Sequence, residues 1–276
     1  MKYLIKLSII INCIIYTAFT LNAQNRIVST DGTLSEIVCE LGLQSHIVGI
    51  DVTSTFPESL QKLPKVGHNR NISAEGILAL NPDLVLVNEK GMIKNETVSQ
   101  LKTAGKTVVI FKQEYSPEGT KKLIREVAAY FKLSKKGEDI IKKIETDLKG
   151  IKKSPTPHKI LFIYARGTGS LMVSGEGTSV EKMIQLSGNE NAGKGFKDFK
   201  PLTPEALLTA NPDVILLFNS GLESVGNVEG LLHVPGIVQT NAGKSKKIIT
   251  MDGQYLTGFG PRLGKAVAEL AQKSNQ

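Results

Sequence analysis

Residues 73–89 read SAEGILALNPDLVLVNE, and residues 203–219 read TPEALLTANPDVILLFN. The two stretches are one unit repeated 130 residues apart. Glu75 falls on Glu205, Leu78 on Leu208, and Asn81-Pro82-Asp83 on Asn211-Pro212-Asp213. Ser73 and Thr203 are residues that cap helix N-termini, so each unit opens as a helix. Each proline cannot continue that helix and pushes the residue before it out of helical backbone. The apolar runs 84–88 and 214–218 then read as buried strands. Helix, turn and buried strand, occurring twice, predict an α/β protein of two related lobes.

A weaker echo pairs Gly32-Thr33, Glu36 and Leu41 with Gly177-Thr178, Glu181 and Leu186, both turns entering helices. Further short apolar runs at 26–29, 46–50, 107–111, 159–164 and 247–251 continue the strand–turn–helix pattern on both sides of residues 117–153. That middle segment carries 11 Lys/Arg against 6 Asp/Glu. Its apolar residues, Leu123, Ile124, Val127 and then Ile140, Ile141, Ile144, recur at helical spacing, with a break near Ser134–Gly137. The second of the two helices would span about 28 Å at 1.5 Å per residue. The predicted organisation is therefore an N-terminal lobe over 24–116, linking helices over 117–153 and a C-terminal lobe over 154–276, with a ligand cleft between the lobes. Most of the net charge of +8 sits in the linking segment. Its lysines lie on a polar helix face with no interleaved aromatics, which a solvated amphipathic helix explains better than a nucleic-acid surface. Aromatic residues make up 5% of the chain and Trp is absent, so a stacking platform for single-stranded nucleic acid is excluded too.

Residues 1–23 read as a cleavable secretory signal: Lys2 and Lys6, an apolar run from Leu7 to Phe19, then Leu21-Asn22-Ala23 before Gln24. The run is short for a membrane span of about 20 residues. Cys13 lies inside that run without the small-residue box of a lipidated cysteine. Cys39 falls on an apolar helix face and reads as a buried, inert thiol. The expectation is an exported, disulfide-free chain.

Several short motifs carry a family resemblance over essentially all of the chain after the signal. In the first lobe they are Arg26-Ile27-Val28-Ser29, Gly32-Thr33-Leu34-Ser35-Glu36-Ile37-Val38, Leu63-Pro64-Lys65-Val66-Gly67-His68-Asn69-Arg70 and Ser73-Ala74-Glu75-Gly76-Ile77-Leu78. In the second they are Met172-Val173-Ser174-Gly175, Pro235-Gly236 and Gly258-Phe259-Gly260-Pro261-Arg262. In order and spacing they resemble the periplasmic hemin-binding proteins of bacterial ABC importers, a branch of the group that also binds vitamin B12 and siderophores. The resemblance implies two α/β lobes joined by a rigid linking helix, a monomer when free, and heme (hemin) as transported ligand. It also implies delivery to an ABC permease dimer with its ATPase subunits, and no catalysis. A vitamin B12/corrinoid or ferric-siderophore carrier is the alternative. The family often has Tyr where this chain has His68, and the two side chains favour different iron states.

His68, in a Gly-Asn-Arg loop before the repeat helix, is an ordinary loop histidine on its own and the axial ligand of the heme iron under the resemblance. Weaker heme-contact candidates are Tyr164 and Tyr255, which also read as packed residues, Met172, which also reads as core, and His233, which also reads as a packed loop. Tyr164 closes a strand, where α/β ligand sites form. Arg70 and Arg166 are rim charges or grips for the heme propionates. Glu75 and Glu205 suit helix first turns by charge alone; the resemblance makes them the paired glutamates, one per lobe, that dock on the permease. Gly188–Lys194 imitates a phosphate loop, but Gly195 stands where Ser or Thr is needed. No Ser-His-Asp or His-Glu context supports an enzyme.

Overall fold

The computed structural model describes residues 26–68, 71–91, 93–152, 154 and 156–276. The segment 1–23 and Arg70 lie outside the described residues. The first sheet is built from β1 (Ile27–Ser29), which turns into α1 (Gly32–Glu40), and β2 (Ile47–Ile50). The first repeat unit follows as α2 (Ala74–Leu78) and β3 (Leu84–Asn88), and then come α3 (Asn95–Thr103) and β4 (Thr107–Phe111). The strands run parallel in the order β2-β1-β3-β4. β3 is buried at every residue, which is why its sequence is a continuous apolar run and not an alternation.

Two helices, α4 (Pro117–Tyr130) and α5 (Ser134–Lys149), carry the chain across. They separate at Lys132, whose φ of 57° is left-handed and cannot belong to either helix. The second lobe begins with β5 (Lys159–Ala165), β6 (Leu171–Ser174), α6 (Ser179–Leu186), β7 (Glu190–Asn191) and β8 (Phe199–Pro201). The second repeat unit is α7 (Pro204–Ala210) and β9 (Val214–Phe218). The chain ends with α8 (Asn219–Ser224), α9 (Asn227–Leu232), α10 (Asn241–Ser245), β10 (Ile248–Met251), α11 (Gly253–Thr257) and α12 (Leu263–Asn275). The order is β10-β9-β5-β6-β8, with β7 also on β5; β5, β9 and β10 are parallel, and β6 is antiparallel to both neighbours.

The repeat is exact in its joints. Ser73 and Thr203 each accept a hydrogen bond from the amide three residues on. Asn81 and Asn211 are both left-handed, with φ of 42° and 33°. Asp83 accepts from the Arg26 amide at 2.8 Å, and Asp213 from the Lys159 amide at 3.0 Å. The Asn-Pro-Asp turn thus pins the start of the leading strand in each lobe.

The lobes share one apolar core. It runs from Ile27 and Leu86 in the first sheet through Ile140 and Ile144 of α5 to Phe162 and Val214 in the second sheet and Val267 of α12. α5 packs on α4 along one side and on α12 along the other. Both approaches are close because of glycine: a Cβ on Gly137 would lie 2.6 Å from the Ala128 Cβ, and one on Gly264 would lie 2.4 Å from the Asp147 Cβ.

Candidate functional site

Parallel strands leave their C-terminal ends and the following loops along one end of a sheet, and ligands bind there. In this chain those ends face each other across a cavity of about 680 Å³. The first lobe contributes Asp31 after β1, Thr53 and Thr55 after β2, Lys90 after β3 and Tyr115 after β4. His68 joins them from the loop that returns from the β2 end toward α2. The second lobe contributes Tyr164 and Arg166 from the end of β5, Phe218 from β9 and Gln254 from α11.

The second wall is aromatic. Phe218 packs edge-on against both Phe162, at 4.8 Å between centroids, and Tyr164, at 5.9 Å. Phe199, which is 42% exposed, extends this cluster from β8. The Arg166 guanidinium stands 5.3 Å from the centre of the Tyr164 ring. The first wall is polar. Asp31 caps α1 by accepting from the Thr33 and Leu34 amides. Burial pushes its carboxyl above the ordinary value, against the hydrogen bond from Asn88. Burial, and then the charge of Asp31, raise the Tyr115 phenol.

The cavity floor is a seam of bonds between the lobes. Gln254 Nε2 donates to the Gly32 carbonyl at 2.8 Å, while its Oε1 accepts from the Thr55 and Phe56 amides at 2.7 and 3.0 Å. Thr33 Oγ1 and Gln113 Nε2 both donate to the Gly258 carbonyl at 2.6 Å. Below them Arg262 grips Glu36 with two bonds, of 3.0 and 2.9 Å, and lies over the Phe56 ring at 3.7 Å.

Of the candidates read from sequence, the structure brings His68, Tyr164 and Arg166 to one cavity. It places three others elsewhere. Tyr255 lies on the α12 side of α11 with the Arg262 guanidinium 4.7 Å from its ring centre, and burial pushes its phenol up to about 12. Met172 sits opposite Tyr164 in the β5–β6 ladder, half-buried, and does not line the cavity. His233 is exposed at the end of α9, with Nδ1 2.7 Å from the Glu229 carbonyl. Glu75 and Glu205 are exposed in the first turns of α2 and α7. Sequence reading missed Asp31, Lys90, Tyr115, Phe218 and Gln254. The rule that singled out Tyr164, the end of a strand, finds Phe218 directly, and finds the other four only when extended to the four residues after each strand. Among the described residues no three His, Cys, Asp or Glu side chains are grouped to hold a bare metal ion.

Residues 27–255 match the family model described as periplasmic binding protein. The chain belongs to this family. Within it, the periplasmic heme-binding protein RhuT from Roseiflexus sp. RS-1 is 39% identical, covering 91% of this chain and 97% of that one, with a TM-score of 0.87. The heme-binding protein HmuT is 30% identical over 91% and 84%, with a TM-score of 0.82, and single-alanine variants of a tyrosine, a histidine and an arginine of HmuT have been solved. An uncharacterized ABC transporter substrate-binding lipoprotein of Bacillus subtilis, YvrC, is 29% identical over 90% of this chain and 79% of its own length. More distant relatives include vitamin B12-binding proteins. The two-lobed family member described above is thus a substrate-binding protein of an ABC transporter.

Proposed function

We propose that this chain is a periplasmic carrier that binds heme in the interlobe cavity and hands it to an ABC permease. The observation that carries this reading is the convergence of His68, Tyr164 and Arg166 on one cavity from opposite lobes. An imidazole and a phenolate are both ligands of heme iron. The aromatic wall of Tyr164 and Phe218 suits the flat apolar ring, and Lys90 and Arg166 suit its two propionates. HmuT offers a parallel, because the arginine varied there lies two positions after the tyrosine, as Arg166 follows Tyr164. A corrinoid is the second reading, favoured by the B12-binding relatives; its side chains are mostly neutral amides and leave the two cavity cations without partners. Titration with hemin should give a Soret band distinct from free hemin. His68→Ala and Tyr164→Phe should each shift that band and weaken binding tenfold or more. Tight binding of cyanocobalamin with no response to hemin would replace heme by the corrinoid.

Handover is assigned to Glu75 and Glu205. α2 and α7 each run back along the strand they precede, so their first turns lie at the cleft end of the lobes. Two exposed carboxylates at matched sites suit a two-fold permease, one lobe per subunit. Glu75→Arg with Glu205→Arg should stop hemin uptake by cells and leave hemin affinity unchanged in the purified protein. Normal uptake by cells carrying only the double variant would remove both residues from docking.

A further inference from the structure

A second cavity, of about 340 Å³, lies within the C-terminal lobe, on the sheet face turned away from the shared core. Its accessible lining is apolar, with half-buried Ala192, Phe196, Leu202 and Ala206 set over the buried Leu161, Val173 and Leu207. Its rim carries three ammonium groups, Lys159, Lys194 and Lys200, and no carboxylate is among its lining residues. Lys200 lies over the Phe196 ring at 3.9 Å. Lys194 pairs with Glu190 at 3.0 Å, with both side chains at least half exposed, so that pair holds it weakly. Lys159 forms no salt bridge within 4 Å among the described residues, although its charge acts on the nearby Asp213 carboxylate.

The first lobe shows what a closed version of this corner looks like. Arg26 is the counterpart of Lys159 by its bond to the repeat aspartate. Its Nε donates to the Asn81 carbonyl at 3.1 Å and its Nη2 to the Leu80 carbonyl at 2.8 Å, so the guanidinium ties the strand to the end of α2. Lys159 makes no such bond to the end of α7, and the cavity occupies the corner between β5, β6 and α7.

We propose that this cavity binds a small amphipathic carboxylic acid. Its alkyl chain lies on Leu202, Phe196 and Ala206, and its carboxylate sits at the lysine rim. An anion at this rim is attracted by the ammonium groups that line it. A neutral amphiphile gains nothing from them, and an organic cation is repelled. The volume is near the lower end for small-molecule pockets, roughly 300–1,000 Å³, which suits a short acyl chain and is too small for a helix of a partner protein.

The test is calorimetric titration with octanoate, octanol and octylamine, on hemin-free protein and on protein saturated with hemin. Octanoate should bind once per chain with the same affinity in both states, and octanol and octylamine at least tenfold more weakly. Lys159→Glu with Lys200→Glu should weaken octanoate tenfold or more and leave the hemin spectrum unchanged. Ala210→Leu, which fills the cavity without altering charge, should do the same. Displacement of octanoate by hemin would put it in the interlobe cavity and overturn the proposal. Equal binding of octanol, or wild-type octanoate affinity in both variants, would overturn it as well.

Discussion

The two lobes are copies in their frame and differ in what they present to the cleft. In the first lobe β1 passes directly into α1, and Asp31 caps that helix at the cavity floor. In the second lobe the β6 strand intervenes between β5 and α6, and the helix is capped by Thr178 instead. The inserted hairpin lengthens β5 so that Tyr164, Ala165 and Arg166 reach the cleft, and it brings Phe199 beside Tyr164. One wall is consequently polar and the other aromatic. Duplication supplies the scaffold, and local insertions supply the chemistry.

Buried glutamates at matched places in the two lobes give the sharpest contrast. Glu181 of α6 is satisfied within its own lobe, by the Gly177 amide at 2.7 Å and by Gln185. Glu36 of α1, at 4% side-chain exposure, depends on Arg262 from the other lobe. Removing one partner of a buried pair typically costs about 3–5 kcal/mol, so Arg262→Ala should be the most damaging single change described here, measured by denaturant unfolding. Its pH dependence has a definite sign. Burial holds the folded Glu36 carboxyl above its ordinary value even with Arg262 opposing it. For an acid raised in the folded state, the penalty is present above the folded value and relieved as pH falls through it. The stability gap between Arg262→Ala and the parent should therefore narrow from pH 7 toward pH 5. A gap independent of pH would mean that Glu36 is not the residue left uncompensated.

The linking helix offers a comparison of its own two sides. Overpacking a close helix contact typically costs about 1–3 kcal/mol. Gly137→Ala presses α5 against α4 within the linking pair, and Gly264→Ala presses α12 against α5. Both should destabilise within that range. Only Gly264→Ala should also alter hemin affinity, because α12 follows directly from the Gln254–Arg262 seam that joins the lobes. Equal effects on hemin from both variants would show that the lobes respond as one rigid unit.

The frame was legible in the sequence because its signals are local and strong. Seven apolar runs became strands, and the repeat, its caps and its left-handed asparagines lie within 17 contiguous residues in each copy. β6, β7 and β8 were not: Glu190-Asn191 and Phe199-Lys200-Pro201 are too short and polar to carry a period, and Leu171–Ser174 is only four residues long. Site residues divided the same way. His68, Tyr164 and Arg166 stand in loops or at a strand end and could be singled out. Glu36 matters through a partner 226 residues away, a relation no local pattern encodes, and Gln254, although it follows a strand end, acts through bonds to a residue 199 positions away. Tyr255 is the instructive case, one residue from Gln254 and facing the opposite side of a short helix.

The smallest effect tests the comparison at its first residues. Arg26 closes its corner with two bonds to carbonyls, and Lys159 leaves the equivalent corner open. Arg26→Lys should lose those bonds, which at a net value of about 0.5–1.5 kcal/mol each and partial solvent exposure gives a modest loss. Lys159→Arg is the reciprocal change. The carbonyls of Ala210 and Asn211 end α7 as those of Leu80 and Asn81 end the turn after α2, so a guanidinium at 159 has the same acceptors within the same frame. Lys159→Arg should therefore stabilise the protein by roughly one such bond and, by swinging over the corner, weaken octanoate binding although the positive charge is kept. Retention of charge makes the outcome decisive. If Lys159→Arg binds octanoate as well as the parent does, the anion is held by charge at the rim and the openness of the corner is incidental; if it binds more weakly, the difference between Arg26 and Lys159 is what makes the second lobe a binding surface on this face.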